Sequence, residues 1–472
     1  MTLSLKKLFS GALAALSAVS ALSVLPAFAD ELPSPDGELF DGSFTYEVVD
    51  GTYTITHCDA LIVTAVPANR NGIAITAIGD GAFANCSGIS SLELPDSIKS
   101  IGNNAFVNCT GLKEIILPKN LKHLGEYAFM GCSALESIEI PATITELPAY
   151  SFSMCDKLVD VKLPETMTSI GKSAFYECAS IEKFKLPESL ETIGDYAMQE
   201  WFSIKEIDTS DNSSFTVEDG MLMNKEKTSV YRGLSDITGD LYIPDTVSTI
   251  KGGAFTGCMQ LLNLFLPESV TVIENDGFSY CPNLRNIDFS QGLSVIGNAA
   301  FFNDTCLTSL SIPTTVTSIG NLAFSCCSNL EKIILPEGIK TIDDEAFLAC
   351  EKLMRISVPK SVEKVGTQAF GMTAKGDERV KLDGFEMSVF SGSAAHKYAK
   401  KNDILFTVVD RNIKKFVFIA VGIALILATA VFAAVLMSRG RKSPDHAAKK
   451  AQKIAKQQAE DEKYESIVDK NK

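Results

Sequence analysis

The chain has 472 residues, of which 46% are hydrophobic and 21% are charged, and its formal net charge at pH 7 is −15. This acidic excess argues against the nucleic-acid-binding class, because phosphate groups would be repelled. The four histidines are widely separated, and there is no G-x-S-x-G motif, H-E-x-x-H motif or phosphate-binding glycine loop. The sequence therefore predicts no enzyme, no cofactor, no metal site and no nucleic-acid partner.

Residues 1–29 have the pattern of a secretory signal peptide. Lys6 and Lys7 form a basic start, an apolar stretch follows over residues 8–25, and Ala27-Phe28-Ala29 is an A-x-A cleavage motif. Cleavage would fall between Ala29 and Asp30. An uncleaved N-terminal membrane anchor is the alternative, and in either case we expect the protein to leave the cytoplasm.

Residues 30–66 are predicted to form an N-terminal cap. Two runs of alternating apolar and polar residues flank Asp50-Gly51, which is a typical hairpin turn. A hairpin at this position would cover the apolar end of the first coil of the repeat region that follows.

One sequence unit recurs through residues 67–205 and again through residues 241–380. An Ala-Phe pair, or a close substitute, returns every 23 residues in each block, and the two blocks hold twelve copies. The copies have Phe at positions 83, 106, 129, 152, 175, 255, 278, 301, 324, 347 and 370 and Met at position 198. This period and the L-x-x-I-x-L pattern are typical of a leucine-rich repeat solenoid, so we predict short parallel strands in about twelve coils.

Strand alternation indicates which side chains point into the coil. In the copy Leu112 to Pro118, Ile115 and Leu117 are predicted to point inward and Ile116 outward. Pro118 ends the strand because proline has no N–H for a β-ladder. An Ile-Gly corner comes next, where glycine permits a positive φ or a close approach to the neighbouring coil.

The unit C-x-x-L-x-x-I-x-L-P-x-x-[VI]-x-x-I-G-x-x-A-F resembles the BspA-type leucine-rich repeat family of bacterial cell-surface proteins. The resemblance extends over about three hundred residues. It implies a secreted or surface-exposed, non-enzymatic protein that binds host matrix proteins or other microbes. The family has no fixed ligand-contact motif to transfer to this chain.

The period fails over residues 206–240, where the Asp219-Gly220 turn predicts a β-hairpin insertion. Trp201 stands just before it, at the position that cysteine takes in other copies. We expect its indole to fill a wider gap in the interrupted stack, and stacking against a ligand is the alternative.

Nine of the twelve cysteines occupy one position of the repeat, three residues after the phenylalanine. They are Cys86, Cys109, Cys132, Cys155, Cys178, Cys258, Cys281, Cys327 and Cys350. Such a column is typical of small buried hydrophobic side chains, so we predict reduced thiols in the core. Cys306 and the Cys326-Cys327 pair depart from the spacing and are the candidates for a disulfide or for reactivity.

The last segments predict a cap, a membrane span and a tail. Residues 381–410 read as a strand, a helix and a strand, and residues 416–437 are apolar and long enough to cross a bilayer. With a cleaved signal peptide, the repeats would be extracellular and the basic tail, residues 438–472, cytoplasmic. The predicted location is the cell membrane, with a single pass.

The candidate ligand contacts lie at outward strand positions, which form two ladders across the sheet. Most of these positions are polar, but Ile116, Phe265 and Ile334 are apolar, and Lys162, Lys183 and Lys185 form a basic cluster. Phe265 is the best candidate anchor because aromatic residues are frequent binding hot spots. Singly scattered apolar residues on a surface are the alternative interpretation.

The combined features predict a membrane-anchored surface protein that binds an extracellular protein or glycan, as an adhesin does. The alternative is a single-pass receptor or assembly scaffold that signals through its basic tail.

Overall fold

A computed structural model describes residues 42–60, 62–376 and 378–409 of the chain. The predicted signal peptide, membrane span and tail lie outside these residues. Within the described ranges, no helix is both long and apolar enough to cross a membrane.

An antiparallel hairpin begins the described chain, as the alternating pattern predicts. Strands β1 (Phe44–Val49) and β2 (Thr52–Cys58) pair on either side of Asp50-Gly51, and both turn residues have positive φ. Strand β2 then pairs in parallel with β4 (Ile73–Ile78), which also carries the short β3 (Asn69–Arg70). The hairpin thereby covers the first turn of the solenoid and continues one of its sheets.

Each repeat contributes one strand to each of two faces. The longer strands are β5 (Ser91–Glu93), β7 (Glu114–Ile116), β9 (Ser137–Glu139), β11 (Asp160–Lys162), β13 (Lys183–Lys185), β15 (Glu206–Asp208), β19 (Thr238–Tyr242), β21 (Gln260–Phe265), β23 (Asn286–Asp288), β25 (Ser309–Ser311), β27 (Lys332–Ile334) and β29 (Arg355–Ser357). Where paired, they are parallel and their partners lie 23 residues apart in most cases. We call their outward side the ladder face.

The opposite face is built from two-residue strands that end at the corner of the repeat, where most copies have glycine next. They are β6 (Ser100–Ile101), β8 (His123–Leu124), β10 (Glu146–Leu147), β12 (Ser169–Ile170), β14 (Thr192–Ile193), β20 (Thr249–Ile250), β22 (Val272–Ile273), β24 (Val295–Ile296), β26 (Ser318–Ile319), β28 (Thr341–Ile342) and β30 (Lys364–Val365). In the second block these strands form one continuous parallel sheet.

The core between the faces is filled by the repeated phenylalanines. Phe83 to Phe175 and Phe255 to Phe370 form two columns of stacked rings, with neighbouring centroids 4.8–5.6 Å apart. These rings are almost completely buried. Because one turn cannot enclose its own phenylalanine, each turn depends on its neighbours for burial.

The corner glycines are required by close backbone approach. At Gly102, a Cβ atom would lie 2.6 Å from the backbone N of Asp80 and 2.8 Å from the backbone C of Gly79, in the preceding turn. Nearby, the Asn103 N–H donates to the Asp80 carboxylate, which lies 23 residues earlier. The positive φ values of the repeat fall at other positions, such as Asn104 and Asn108.

The cysteine column lies in the core, as predicted, except that Cys86 in the first copy is half-buried. All twelve cysteines are free. In seven of them the Sγ–H donates to the carbonyl oxygen of the phenylalanine 26 residues earlier, over 3.0–3.3 Å. Burial raises the pKa of Cys155 and Cys327 well above the usual range of a thiol. Cys306 and Cys326 are half-buried.

The insertion is a three-stranded antiparallel meander, one strand more than the predicted hairpin. It contains β16 (Phe215–Glu218), β17 (Met221–Asn224) and β18 (Ser229–Gly233), and β18 rejoins the opposite face beside β20. The meander lies between two hydrophobic clusters. Leu222 packs into the first cluster, whereas Met221 and Met223 pack into the second.

A buried arginine joins the two blocks at this meander. Arg232 is 2% exposed and donates from Nη1 to the Gly253 carbonyl oxygen at 3.1 Å and from Nη2 to the Trp201 carbonyl oxygen at 2.9 Å. Desolvation lowers the pKa of Arg232, but guanidinium groups remain protonated in proteins. One cation therefore connects the last turn of the first block to the first corner of the second.

The C-terminal cap follows the predicted order of strand, helix and strand. After a hairpin of β31 (Met372–Lys375) and β32 (Glu378–Lys381), β33 (Glu386–Val389) continues the ladder-face sheet, and α1 (Ala394–Lys401) leads to β34 (Leu405–Val408). Ser393 caps α1 by accepting from the His396 N–H. The Tyr398 hydroxyl donates to the carbonyl oxygen of Phe370, the last ring of the stack.

The solenoid has about 15 turns, slightly more than the predicted number of about twelve. The predicted number equals the number of Ala-Phe pairs, and three turns have no such pair. They contain Ala65, which bridges to Glu93, and strands β19 and β34. These turns lie at the two ends and at the insertion, where the stack is capped or interrupted.

Candidate binding face

The ladder face presents two columns of side chains that the core does not need. The middle residue of each strand points inward, and the residues on either side of it point outward. Since partners are 23 residues apart, each outward side chain lies directly above its counterpart in the next turn. A partner could therefore be contacted by many turns at once.

Ile116 confirms the predicted alternation, but it is isolated. Its side chain is 66% exposed, and Ile115 and Leu117 on either side are buried. Glu93 is its register partner in the preceding turn. Ile334 is half-buried. These apolar residues do not join into a continuous patch.

The prediction that Phe265 is an exposed anchor is wrong, because its side chain is only 5% exposed. Tyr242, its register partner in the preceding turn, stacks on the ring with centroids 4.5 Å apart and planes 10° apart. Tyr242 itself is 37% exposed. The exposed aromatic ring at this place is therefore Tyr242, which the repeat pattern does not indicate because its turn has no Ala-Phe pair.

A chain of polar side chains occupies the neighbouring column. The Asn286 amide donates to Asn263 Oδ1 at 2.7 Å, and the Asn263 amide donates to Asp240 Oδ1 at 2.6 Å. Asp240 is exposed, and the two asparagines are half-exposed. The three side chains fix one another in defined orientations.

The predicted basic cluster is neutralised by nearby carboxylates. Lys162 Nζ lies 3.9 Å from both Glu139 Oε2 and Asp160 Oδ2. Lys183 Nζ is 2.7 Å from Glu206 Oε2, and the hydrogen bond to Glu206 raises the pKa of Lys183. All of these groups are largely exposed to solvent.

Lys185 is paired in the same way, with Nζ 2.8 Å from Glu165 Oε1 and 3.1 Å from Asp211 Oδ2. The hydrogen bond to Glu165, followed by the one to Asp211, raises the pKa of Lys185. The three lysines therefore do not form the positive patch that an acidic ligand would need.

The alternative role for Trp201, stacking against a ligand, is also wrong. The side chain is fully buried, and its indole Nε1–H donates to the Phe175 carbonyl oxygen at 2.8 Å. It fills the widened core next to the insertion, as the first interpretation predicts.

Near the insertion, the hydrogen bonds and shifted pKa values of titratable groups are explained by packing. The Tyr176 hydroxyl donates to Glu200 Oε1 at 3.2 Å. Desolvation, and secondarily the charge of Glu200, raises the pKa of Asp276 to about 7. Because burial is the main cause, the shift requires no catalytic role.

Two concavities of the described surface are small or open. A cavity of about 10 Å³ lies beside Tyr196, Tyr231 and Lys251, with room for about one water molecule. An open depression of about 400 Å³ lies beside Leu322 and Glu345. Among the described residues, no three His, Cys, Asp or Glu side chains are grouped so as to hold a metal ion.

The sequence matches the family model described as the BspA type leucine rich repeat region (6 copies). The matched residues are 76–205, 227–351 and 278–394, more than half of the chain. No curated protein matches the sequence. Leucine-rich repeat proteins of this kind are typically non-catalytic binding scaffolds, and no enzymatic family is indicated.

Two solved structures are similar over most of their length. A leucine rich cell surface protein from Faecalibacterium prausnitzii A2-165 is 28% identical, with 73% of this chain and 96% of that chain covered and a TM-score of 0.58. The pneumococcal vaccine antigen PcpA is 20% identical, with 78% and 98% covered and a TM-score of 0.57. At that identity, the second similarity concerns the fold alone.

Proposed function

Because this chain belongs to the BspA-type leucine-rich repeat family, we propose that it is a non-catalytic surface protein that binds an extracellular macromolecule through its ladder face. The observation that carries the proposal is the register of the outward positions. Successive strands place their outward side chains in two straight columns while the middle residues bury the core. A long partner can contact several turns without disturbing the packing of any one of them.

Family membership supports a location at the cell surface, and a similar solved structure is described as a cell surface protein. We further propose that residues 1–29 direct export and that residues 416–437 anchor the chain in the membrane. The support for these two steps is the A-x-A motif before Asp30 and the uncharged apolar run of the second segment. In this arrangement the ladder face lies outside the cell, where matrix proteins, glycans and other microbes are accessible.

The proposal is tested with the purified full-length chain in mild detergent, screened against matrix proteins, glycans and bacterial surfaces. Ser309 and Ser357 are exposed on the ladder face, so a Ser309→Arg, Ser357→Arg double variant adds bulk there without altering the core. Thr192 and Val295 are exposed on the opposite face, and the Thr192→Arg, Val295→Arg double variant is the matched control.

We expect the ladder-face variant to lose binding to at least one long ligand and the control variant to retain it. Equal loss in both variants, or retention in both, would overturn the assignment to the ladder face. Failure of the unmodified chain to bind any macromolecule in the screen would overturn the binding function itself.

A further inference from the structure

Strand pairing along the ladder face is interrupted at several places, and the interruption between β15 and β19, which we call the seam, contains the insertion. Strand β15 pairs with β13, and β19 begins a separate sheet with β21 and β23. Between β15 and β19 the chain leaves the solenoid to form the meander of β16, β17 and β18. Strand β19 is therefore the edge of its sheet, and its outward residues Asp240 and Tyr242 border the seam.

The ring of Tyr242 is presented at this edge. One face of the ring is covered by Phe265 from the following turn, and Tyr242 remains 37% exposed. Stacking on the buried ring of Phe265 holds the plane of the Tyr242 ring. An exposed, rigid aromatic ring loses little conformational freedom when a flat apolar surface packs against it.

The polar chain of Asp240, Asn263 and Asn286 runs along the same three strands, in the other column. Each internal hydrogen bond uses one group per side chain. An ionised carboxylate and an amide each have more hydrogen-bonding groups than these bonds use. The second Asp240 oxygen and the second N–H of each asparagine remain to bind a ligand, with their directions already fixed.

A fixed aromatic ring next to a row of carboxylate and amide groups matches the chemistry of a sugar. A pyranose presents apolar C–H groups on one face, which pack on a ring, and hydroxyl groups at its edge, which both donate and accept hydrogen bonds. Asp240 places a carboxylate in this row, and Lys183 and Lys185 on β13 are paired with other carboxylates. Charge therefore disfavours sulfated, phosphorylated or uronic-acid sugars.

We propose that the seam beside β19 binds a neutral oligosaccharide, with one sugar ring stacked on Tyr242 and its hydroxyl groups bound by Asp240, Asn263 and Asn286. This inference rests on the proposed binding function and specifies its ligand and its place. Strand β23 and the strands after it continue the two columns at the 23-residue spacing, so a linear glycan can extend along the ladder face away from the seam.

The first test is an array of neutral and acidic glycans probed with the full-length chain in detergent, followed by titration of any glycan that binds. Tyr242→Ser removes the ring, and Tyr242→Phe keeps it. We expect Tyr242→Ser to weaken binding by about tenfold or more and Tyr242→Phe to bind within about threefold of the unmodified chain. The control is Val295→Ser, an exposed apolar residue on the opposite face, which should leave affinity unchanged.

The second test does not depend on the stability of any variant. Tyr242 in the unmodified chain is nitrated with tetranitromethane, and the extent of nitration is read by peptide mass spectrometry with and without the neutral glycan. We expect the glycan to protect Tyr242, while Tyr127 and Tyr150, which stack on each other elsewhere in the fold, react equally in both samples.

Binding of acidic glycans alone, binding unaffected by Tyr242→Ser, or no protection of Tyr242 would overturn the sugar site. If the chain instead binds a matrix protein and no glycan, the sugar site is wrong and the proposed binding function stands. If nothing binds in either screen, both are wrong.

Discussion

The indole of Trp201 donates to the carbonyl oxygen of Phe175 over 2.8 Å. Seven cysteines donate from Sγ to a phenylalanine carbonyl in the same way, and in every case donor and acceptor are 26 residues apart. The tryptophan therefore replaces a cysteine without losing the bond that joins successive turns. Its larger volume occupies the space that opens where the stack meets the insertion.

Substitution of Trp201 separates the effects of volume and hydrogen bonding. Trp201→Phe keeps much of the ring volume but removes the donor, and we expect it to lower the free energy of unfolding by about 1–2 kcal/mol. Trp201→Cys restores the repeat residue but leaves a cavity, and we expect a loss of about 2–4 kcal/mol. Urea unfolding followed by circular dichroism measures both, and a Cys variant as stable as the native chain would contradict this account.

Arg232 provides a test of how the two blocks are coupled. Arg232→Ala leaves the Trp201 and Gly253 carbonyl oxygens without their donor and opens a cavity, so we expect a loss of about 3 kcal/mol. Trp201 fluorescence reports the junction, whereas circular dichroism reports all turns. In the variant, we expect the fluorescence transition to occur at lower urea than the dichroism transition.

The control for this experiment is Arg355→Ala, because Arg355 has an 85% exposed side chain and a loose 3.8 Å pairing with Glu386. Exposed ion pairs contribute little to stability. The transitions measured by fluorescence and by circular dichroism should therefore coincide, as in the native chain. Coincident transitions at an unchanged midpoint in Arg232→Ala would show that this arginine does not couple the blocks.

The carboxyl group of Asp304 should make the free energy of unfolding depend on pH. It occupies the cysteine position of its turn, is fully buried, and accepts the Cys281 N–H at Oδ1 over 2.7 Å. Burial raises the pKa of Asp304 well above its usual range, the Cys281 hydrogen bond lowers it, and the nearby Cys258 thiol adds to the increase. The fold therefore favours the protonated form of this carboxyl group.

The direction of this pH dependence follows because only the folded state keeps the proton on the Asp304 carboxyl group. Above about pH 4 the unfolded chain releases it, so stability falls by up to about 1.4 kcal/mol per pH unit until the folded pKa is reached. Asp304→Asn removes this effect and retains an acceptor for Cys281. We therefore expect the thermal midpoint of the native chain to fall from pH 5 to pH 8 relative to the midpoint of the variant.

Exposed Asp160 supplies the comparison for this measurement, because Asp160→Asn should shift the midpoint equally at both pH values. The pKa of Asp276 is raised to about 7. Asp276 therefore also contributes to the loss of stability of the native chain as the pH rises to about 7. An Asp304→Asn difference that is the same at pH 5 and pH 8 would mean that the group is already ionised in the fold.

The thiols should react with iodoacetamide in an order set by their burial. Cys155, Cys178, Cys327 and Cys350 are fully or almost fully buried, and burial raises the pKa of each thiol. The thiolate is the reactive form, so these residues should remain unlabelled in the folded chain. The half-buried Cys306 should react before them, and peptide mass spectrometry gives the order.

Full labelling on addition of urea is the positive control for that experiment. Rapid labelling of Cys155 in the folded chain would indicate that the turns around it open, against the continuous core described above.

The fold could be predicted because each repeat independently has the same spacing of apolar residues. Ile115 and Leu117 alternate with Ile116 as a strand requires, and the same spacing recurs in both blocks. The interruption at residues 206–240 was visible as a loss of period. The sharing of β17 between two clusters was not, because Met221, Leu222 and Met223 are all apolar and show no alternation.

The candidate binding face could be predicted only in part, because exposure there depends on the neighbouring turn as well as on the strand. Ile116 is exposed beside Glu93, whereas Phe265 is buried beside Tyr242. The ion pair of Lys183 and Glu206 joins residues 23 apart and could have been found by comparing positions one period apart. The pair of Lys185 with Asp211 could not, since Asp211 belongs to the insertion.

The 23-residue register also has a consequence for the gene. Asp80, Asn103 and Glu126 are linked in series by hydrogen bonds across one period each, so each turn offers the next the same set of partners. Unequal recombination that adds or removes one whole unit within a block rejoins the chain at an equivalent position and in frame. A crossover at residues 209–237 would instead separate Met221 and Leu222 from their clusters, so we expect variation in repeat number on either side of that segment and not within it.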